Sequence, residues 1–291
     1  MNADSVPSTN RVIQGDNLDV LRALPSEFFR MIYIDPPFNT GGVQRRISLA
    51  TIRDEAGDRV GFQGQRYRTE QLGSLAYSDR FDDYLGFLGP RVEAAWRTLA
   101  PDGTFYLHLD SREVHYAKVF LDELVGRDRF LNEIIWAYDY GARSKRKWPA
   151  KHDNILVYVK DPERYYFDSE EVDREPYMAP GLVTPEKAEL GKLPTDVWWH
   201  TIVSPTGREK TGYPTQKPEG ILRRIVQAST REGDWVLDFF AGSGTTGAVA
   251  ATLGRRFVLV DENPEAIEVM RARFAGIAGV RFEVGVPASA G

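Results

Sequence analysis

The 291-residue chain reads as an α/β fold with a mainly parallel sheet, on three observations. Short apolar runs rich in β-formers alternate with segments of helical spacing along most of its length. Two of those runs stop at turns of opposite character, Asp35-Pro36-Pro37 and Gly242-Ser243-Gly244. The length suits one large domain, or a core with a small appendage.

The elements follow in order. Arg30 to Ile34 is a buried strand ended by Asp35-Pro36-Pro37, because two prolines stiffen the backbone and remove donors. Asp82 to Leu99 carries Tyr84, Leu85, Leu88, Val92, Ala95, Trp96 and Leu99 at helical spacing. Pro101-Asp102-Gly103 turns into a strand from Thr104 to Leu109. Val114 to Val125 reads as helix, and Glu133 to Trp136 and Ile155 to Val159 as strands. Gly220 to Ser229 is helical through Ile221, Leu222, Ile225 and Val226. Trp235 to Phe239 is a strand entering a Gly-rich turn, followed by a helix over Thr246 to Leu253. Phe257 to Asp261 is a strand, Pro264 to Phe274 a helix and Val280 to Val284 a last strand.

Two stretches break this rhythm. Val43 to Arg80 holds 7 Arg against 5 acids, and Asp161 to Asp196 holds 10 acids against 4 bases. Unstructured stretches of such length are usually functional insertions. The boundaries expected are therefore 1–42 with 81–160 as one half of the core, 43–80 as an inserted loop region, 161–197 as a target-recognition or lid segment, and 198–291 as the other half. Pro287 to Gly291 reads as a frayed tail.

Composition narrows the chemistry. Apolar residues make up 42% and charged residues 27%, ordinary for a soluble enzyme. No apolar run approaches the ~20 residues of a membrane span. Met1 to Asn10 lacks the basic start and apolar core of a signal peptide, so the expected location is cytoplasmic. There are no cysteines, which removes disulfides, thiolate metal sites and cysteine nucleophiles. His108, His115, His152 and His200 show no metal-ligand spacing, and no metal is expected. The net charge of −5 gives no global pull towards nucleic acid, so any such contact needs a local basic patch.

The Gly-rich turn holds Gly242, Gly244 and Gly247 in G-x-G-x-x-G spacing between a strand and a helix. Glycines there let backbone N–H groups approach a ligand. Asp261 ends the next strand, where a carboxylate can accept from ribose hydroxyls. The pattern fits a nucleoside cofactor. Asp238 just before the turn favours S-adenosylmethionine over NAD, because a carboxylate repels a pyrophosphate and attracts a methionyl ammonium.

The Asp35 turn is built to accept hydrogen bonds. The Asp35 carboxylate and the Pro36 carbonyl suit an exocyclic amino group with two protons to donate. Phe38 adds a flat face on which a base can stack.

Ile34-Asp-Pro-Pro-Phe-Asn-Thr-Gly41 together with Asp238-Phe-Phe-Ala-Gly-Ser-Gly-Thr-Thr246 resembles the amino-methyltransferases of DNA, which methylate adenine N6 or cytosine N4. The catalytic motif precedes the cofactor motif, as in the circularly permuted β arrangement shared with modification subunits of type III restriction systems. Gly15-Asp16-Asn17, Tyr213-Pro-Thr-Gln-Lys-Pro218, Glu133-Ile-Ile-Trp136 and Lys151-His-Asp-Asn-Ile-Leu-Val-Tyr158 match as well. The resemblance implies a Rossmann-like methyltransferase fold with permuted motif order and inserted recognition segments. It implies a catalytic turn of Asp35, Pro36, Pro37 and Phe38. It implies cofactor contacts from Asp16 and Asn17, from Thr215, Gln216 and Lys217, from Asp238, Phe239, Ala241, Gly242, Ser243, Gly244, Thr245 and Thr246, and from Asp261 and Glu262. The partners implied are double-stranded DNA and either a cognate restriction nuclease or a second copy of the chain.

An exocyclic amino nitrogen is a weak nucleophile because its lone pair is delocalised into the ring. Hydrogen bonds to Asp35 and Pro36 would localise that lone pair, and the target base must leave the duplex to reach them. Cytosine C5 methylation normally needs a cysteine, which this chain lacks. Arg143, Lys145, Arg146 and Lys147, with Lys151, form an acid-free run suited to phosphates, and Arg45 and Arg46 follow the Asp35 turn closely. Trp198 and Trp199 read as core. The family resemblance implies adenine N6 as the leading target, since in that family Asp rather than Ser before Pro-Pro leans to adenine; the contact chemistry serves both bases, and cytosine N4 is the alternative. An RNA or protein-glutamine target fits the permuted order less well. An NAD-binding oxidoreductase would leave the Asp35 turn idle, and an inactive recognition subunit would leave Asp35 and Phe38 without a role.

Overall fold

The computed structural model describes residues 7–39, 42–53, 59–60, 66–79, 81, 83–139, 141, 143–204 and 206–285, with side chains described outside 42–79. Two compact units emerge, one of Met1–Phe38 with Asp83–Gly291 and the other of Asn39–Asp82.

The larger unit is a 9-stranded sheet with helices α1 (Asn17–Ala23), α2 (Tyr84–Thr98), α3 (Val114–Leu121), α4 (Pro185–Leu190), α5 (Glu219–Ser229), α6 (Thr245–Thr252) and α7 (Pro264–Arg273). Its strands are β1 (Asn10–Gln14), β2 (Phe29–Ile34), β6 (Leu99–Leu109), β7 (Phe130–Ala137), β8 (His152–Val159), β9 (Val197–Trp199), β10 (Trp235–Asp238), β11 (Arg256–Asp261) and β12 (Val280–Val284). Their spatial order is β12-β1-β11-β10-β2-β6-β8-β7-β9, parallel throughout except where β8 runs against β6 and β7. Helices covering a parallel sheet explain why the central strands are apolar without alternation. Met31, Ile32 and Ile34 of β2 and Phe257 to Val260 of β11 are fully buried.

This order sets β2 beside β10, pairing Met31 with Val236 and Ile32 with Leu237. The Asp35 turn and the Gly-rich turn therefore leave the same edge of the sheet from adjacent parallel strands. Open α/β sheets gather ligands at that carboxyl edge. The β7–β8 loop opens on the same edge, because Ala137 pairs with His152 and Asn154 pairs with Leu109 at the end of β6.

The structure adds β1, α1, β9 and α4 to the elements expected from sequence. β1 offers only Val12 and Ile13 as buried apolar residues, too few for a periodic signal, yet it lies between β11 and β12. α1 starts where Asp16 caps it, accepting from Leu18 N at 2.8 Å and Asp19 N at 3.2 Å.

The smaller unit contains a three-stranded antiparallel sheet of β3 (Gly42–Arg53), β5 (Arg66–Asp79) and β4 (Arg59–Val60). The inserted loop read from sequence is thus a β-ribbon. Its Val, Ile, Leu, Thr and Tyr residues sit among arginines and glycines, so it lacks the apolar density of a core strand. Cross-strand backbone pairing supplies the regularity instead, from Gly42 opposite Asp79 to Arg53 opposite Tyr67.

The acidic segment over 161–196 packs against the core. Tyr166 N donates to Asp102 O at 3.1 Å and Asp168 N to Ala228 O at 2.8 Å, both at the end of the sheet away from the carboxyl edge. Glu171 pairs with the buried Arg255 at 2.7 Å, and Glu175 with Lys192 at 3.2 Å and Arg224 at 3.6 Å. Several of its acids thus meet internal cations.

Candidate active site

The Asp35 turn begins at Ile34, which is fully buried at the end of β2. Pro36 is buried, and Pro37 and Phe38 are half-buried. The Asp35 side chain is 15% exposed, and its Oδ2 accepts a close ion-paired hydrogen bond from Lys217 Nζ. Its other oxygen, Oδ1, is buried and has no hydrogen-bond partner. An unpartnered buried carboxylate oxygen is costly and marks a position prepared for a donor from outside the chain. The Lys217 ammonium also stands 4.9 Å from the centre of the Phe38 ring.

Beneath Phe38 lies a buried polar chain that the sequence did not reveal. The His108 ring centre is 6.0 Å from that of Phe38. His108 is fully buried; its Nδ1 is 2.7 Å from Tyr33 Oη, and its Nε2 is 3.3 Å from Asp153 Oδ2. Tyr138 donates to Asp153 Oδ1 at 3.0 Å. Burial, reinforced by the carboxylates of Asp35, Asp238 and Asp153, holds the Tyr33 phenol well above its ordinary pKa. The His108 ring is thus held between a phenol and a carboxylate, each within hydrogen-bond distance of one ring nitrogen. Burial opposes the charge on Asp153, but hydrogen bonding and charge from His108, with help from Lys217 and Tyr138, keep its carboxyl below the usual range. The only sequence signal for this chain is Asp153 within Lys151-His-Asp-Asn; His108 by sequence shows only that it lacks metal-ligand spacing.

The Gly-rich turn has the opposite chemistry. Gly242 has φ +50° and Gly244 φ +72°, the left-handed region that glycine occupies without strain. Gly242 N donates to Asp261 Oδ2 at 2.8 Å, tying the turn to the end of β11. Asp238 is buried and accepts from Thr246 Oγ1 at 2.6 Å and Phe240 N at 3.0 Å. Burial drives its pKa up to about 7, with Asp35 and Asp261 adding repulsion. Burial likewise drives Asp261 up to about 6, against hydrogen bonds from Asn263 and Gly242. Two buried carboxylates this reluctant to ionise are stabilised by a ligand that brings positive charge or hydroxyl donors.

The other expected cofactor residues divide. Asn17 donates to Phe239 O at 2.9 Å and accepts from Arg91 Nε at 2.6 Å, while Arg91 reaches Asp16 at 3.0 Å. Asp16 and Asn17 are thereby brought to the Gly-rich turn. Ala241, Ser243, Thr245 and Thr246 are buried in it, Glu262 is exposed beyond Asp261, and Thr215 is exposed. Gln216 is committed internally, accepting from Thr211 N at 2.8 Å and donating to Glu209 O at 2.6 Å. Lys217 meets the turn through its backbone, its carbonyl accepting from Thr245 Oγ1 at 3.2 Å, while its ammonium goes to Asp35. Arg273, missed in the sequence, braces the turn from α7 by donating to Ser243 O at 3.1 Å.

Arg143, Lys145, Arg146 and Lys147 are exposed at the carboxyl edge, in a loop shaped by Ser144 Oγ, which accepts from Arg146 N at 3.1 Å. Lys151 closes that loop, donating to Gly141 O at 3.2 Å. Trp148 in the same loop is 95% exposed, and Trp199 is 75% exposed while Trp198 is buried, so only one of the two adjacent tryptophans joins the core. Arg45 and Arg46 lie on β3, and their side chains fall outside the described residues. No group of metal-ligating side chains occurs among the described residues. No helix among them is long and apolar enough to cross a membrane.

A sheet with its antiparallel strand beside β6, and with two ligand turns on adjacent strands, is the Rossmann-like methyltransferase fold in permuted order. The solved PvuII DNA methyltransferase, described as cytosine-N4-specific, superposes with a TM-score of 0.63 at 16% identity, covering 93% of this chain and 88% of that one. TTHA0409 from Thermus thermophilus, solved with S-adenosyl-L-methionine, gives 0.58 at 21% identity, covering 96% and 99%. By sequence, the DNA adenine methyltransferase YhdJ of Escherichia coli (strain K12) is 28% identical over 266 residues, 89% of this chain and 80% of the relative. The N6_N4_Mtase model, described as DNA methylase, matches residues 29–272, and the chain belongs to that family of DNA methyltransferases.

Proposed function

We propose that this chain transfers a methyl group from S-adenosylmethionine to the exocyclic N6 of a flipped-out adenine in double-stranded DNA. The observation that carries it is the Asp35 turn: a buried, unpartnered Oδ1 in an acceptor-only turn beside the Phe38 ring. When bound, the cofactor supplies an activated sulfonium methyl. Asp238, Asp261 and the backbone of the Gly-rich turn would hold it, and their buried carboxylates fit a cationic, hydroxyl-bearing nucleoside.

The chain's own residues act on the base. Phe38 stacks on it, a contact worth ~1–3 kcal/mol. Asp35 and the Pro36 carbonyl accept the two amino protons, which concentrates the lone pair on nitrogen. As nitrogen gains a methyl group it becomes cationic and must lose one proton; Asp35 stabilises that charge, accepts the proton and releases it to solvent. No covalent bond between base and protein is required.

The exposed basic side chains of Arg143 to Lys147 track phosphates, and Arg45 and Arg46 of the β-ribbon contact DNA in their own unit. The regions 1–42 with 81–160 serve as the base-binding half and 198–291 as the cofactor half. Target reading falls to 43–80, whereas 161–197, anchored through Tyr166 and Asp168 at the opposite end of the sheet, braces the core. The Asp35 turn suits cytosine N4 by the same contacts, and the PvuII likeness keeps that reading in view. Digesting methylated DNA to nucleosides and weighing the modified base tests the assignment: N6-methyladenine is expected, and N4-methylcytosine alone would replace it.

A further inference from the structure

Of the groups assigned above to the target base, Asp35 and Phe38 are both engaged by one cation of the chain itself. Lys217 Nζ is ion-paired with Asp35 Oδ2, and it stands over the Phe38 ring at 4.9 Å from the centroid. We propose that Lys217 is an internal competitor of the target base: its ammonium holds Asp35 Oδ2 and covers the Phe38 face on which the base would stack, leaving Oδ1 open, and it must withdraw before the base can bind. This inference rests on the proposed base-binding role of Asp35 and Phe38.

Its backbone is fixed, so any withdrawal must come from its side chain. The carbonyl of Lys217 accepts from Thr245 Oγ1 at 3.2 Å, and the preceding Gln216 is locked by Thr211 and by Glu209 O. Withdrawal is therefore a change of rotamer, not of loop. A second anion stands ready: Asp153 is close enough for Lys217 to favour its ionised form. Asp153 is hydrogen-bonded to His108, which lies beneath Phe38, so the ammonium keeps a counter-charge when it leaves Asp35.

The arrangement answers two needs. A buried carboxylate without a counter-charge is unfavourable, and Lys217 removes that cost before a base arrives. It also makes the site selective. A base that displaces Lys217 must replace an ion pair and a cation–π contact, which an amino group can do through its two protons and its ring. A base presenting only a carbonyl at that position cannot, and would face the acceptor-only turn with its own acceptor.

The test is a pair of substitutions with opposite signs. Lys217→Met keeps the volume and removes the competitor; Lys217→Arg keeps the charge and offers carboxylate a two-pronged, tighter partner. Steady-state methylation is measured with tritiated S-adenosylmethionine and plasmid DNA from a methylation-free host, alongside calorimetric binding of S-adenosylmethionine alone. KM for DNA should fall by about five- to ten-fold in K217M and rise by a similar factor in K217R, the size of ~1–1.4 kcal/mol of competition. Affinity for S-adenosylmethionine should stay within about two-fold of wild type in both, since Lys217 touches the cofactor turn by its backbone. Shifts of KM in the same direction, an unchanged KM, or a large loss of cofactor affinity would each overturn the proposal. Should K217M melt below the assay temperature, the rise in K217R decides alone. A wild-type chain that transfers no methyl to DNA at all would instead remove the underlying reading.

Discussion

Asp35 and Asp238 are buried carboxylates at the ends of neighbouring parallel strands, yet the protein treats them in opposite ways. Asp35 has a full counter-charge in Lys217 and a rigid, donor-free turn of prolines. Asp238 has only hydrogen bonds, from Thr246 and Phe240, in a glycine turn full of N–H groups, and its pKa rises to about 7. Each environment points to a different ligand. A carboxylate paired with a removable cation through one oxygen, its other oxygen open, is ready to accept an incoming donor. One left without a cation gains its counter-charge from the ligand itself, as the methionyl ammonium of S-adenosylmethionine would provide.

Removing Asp35 should have the largest effect of all. Asp35→Ala should lower single-turnover methylation by about 10²–10³, the usual size of a lost charge-stabilising contact, while leaving cofactor affinity nearly intact. Asp35→Asn should retain a trace at most. Phe38→Ala should do less harm, since it removes stacking and no charge. Near wild-type rates in Asp35→Ala would place the chemistry elsewhere and erase the contrast with Asp238.

The glycine turn is vulnerable through its backbone. A Cβ at Gly244 would lie 2.8 Å from Met270 Cγ and 3.0 Å from Phe274 Cζ, at φ +72°. Gly244→Asp should therefore abolish S-adenosylmethionine binding by forcing the turn off α7 and adding a repelling charge. Gly244→Ala should lower stability by about 1–3 kcal/mol through backbone strain and crowding. A Gly244→Asp chain that binds the cofactor normally by calorimetry would count against the turn as its site.

Protonation separates the two carboxylates more gently. Because the folded state raises Asp238 to about 7 and Asp261 to about 6, it binds protons that the unfolded chain has released. Their contribution to stability is complete below about pH 4 and is lost as pH climbs through those values. Asp238→Asn should flatten this loss, raising the melting temperature of the cofactor-free protein at pH 8 relative to wild type. It should also weaken S-adenosylmethionine binding, because the ammonium loses its anion. Identical pH slopes in scanning calorimetry would show that Asp238 carries no such penalty.

The smallest effect expected lies outside both turns. Replacing Arg143, Lys145, Arg146 and Lys147 with Ala should weaken DNA binding on every sequence and flatten its salt dependence by about 0.9 per lost phosphate contact. An unchanged log–log slope would mean that this loop is only solvated.

Much of this was written locally in the chain. Prolines stiffen Asp35 to Phe38 wherever they are placed, and glycines at 242 and 244 permit positive φ without help from distant residues. The apolar runs of β2, β10 and β11 announce a sheet buried on both faces. The fold class, the two turns and the carboxylates at their heads were therefore legible before any contact was known.

What each carboxylate meets was settled only by the folded arrangement. Lys217 is 182 residues from Asp35, and the family likeness pointed it towards the cofactor; only the tertiary fold brings its ammonium to the Asp35 carboxylate. His108 and Asp153, 45 residues apart, become partners because β6 pairs with β8 in one register. The segment 161–196 reads from sequence as a target-recognition or lid segment, whereas in the fold Arg255 and Arg224 pair with two of its acids. Backbone stiffness and hydrophobic period are properties of neighbours along the chain, whereas charge pairing and proton affinity are set by neighbours in space.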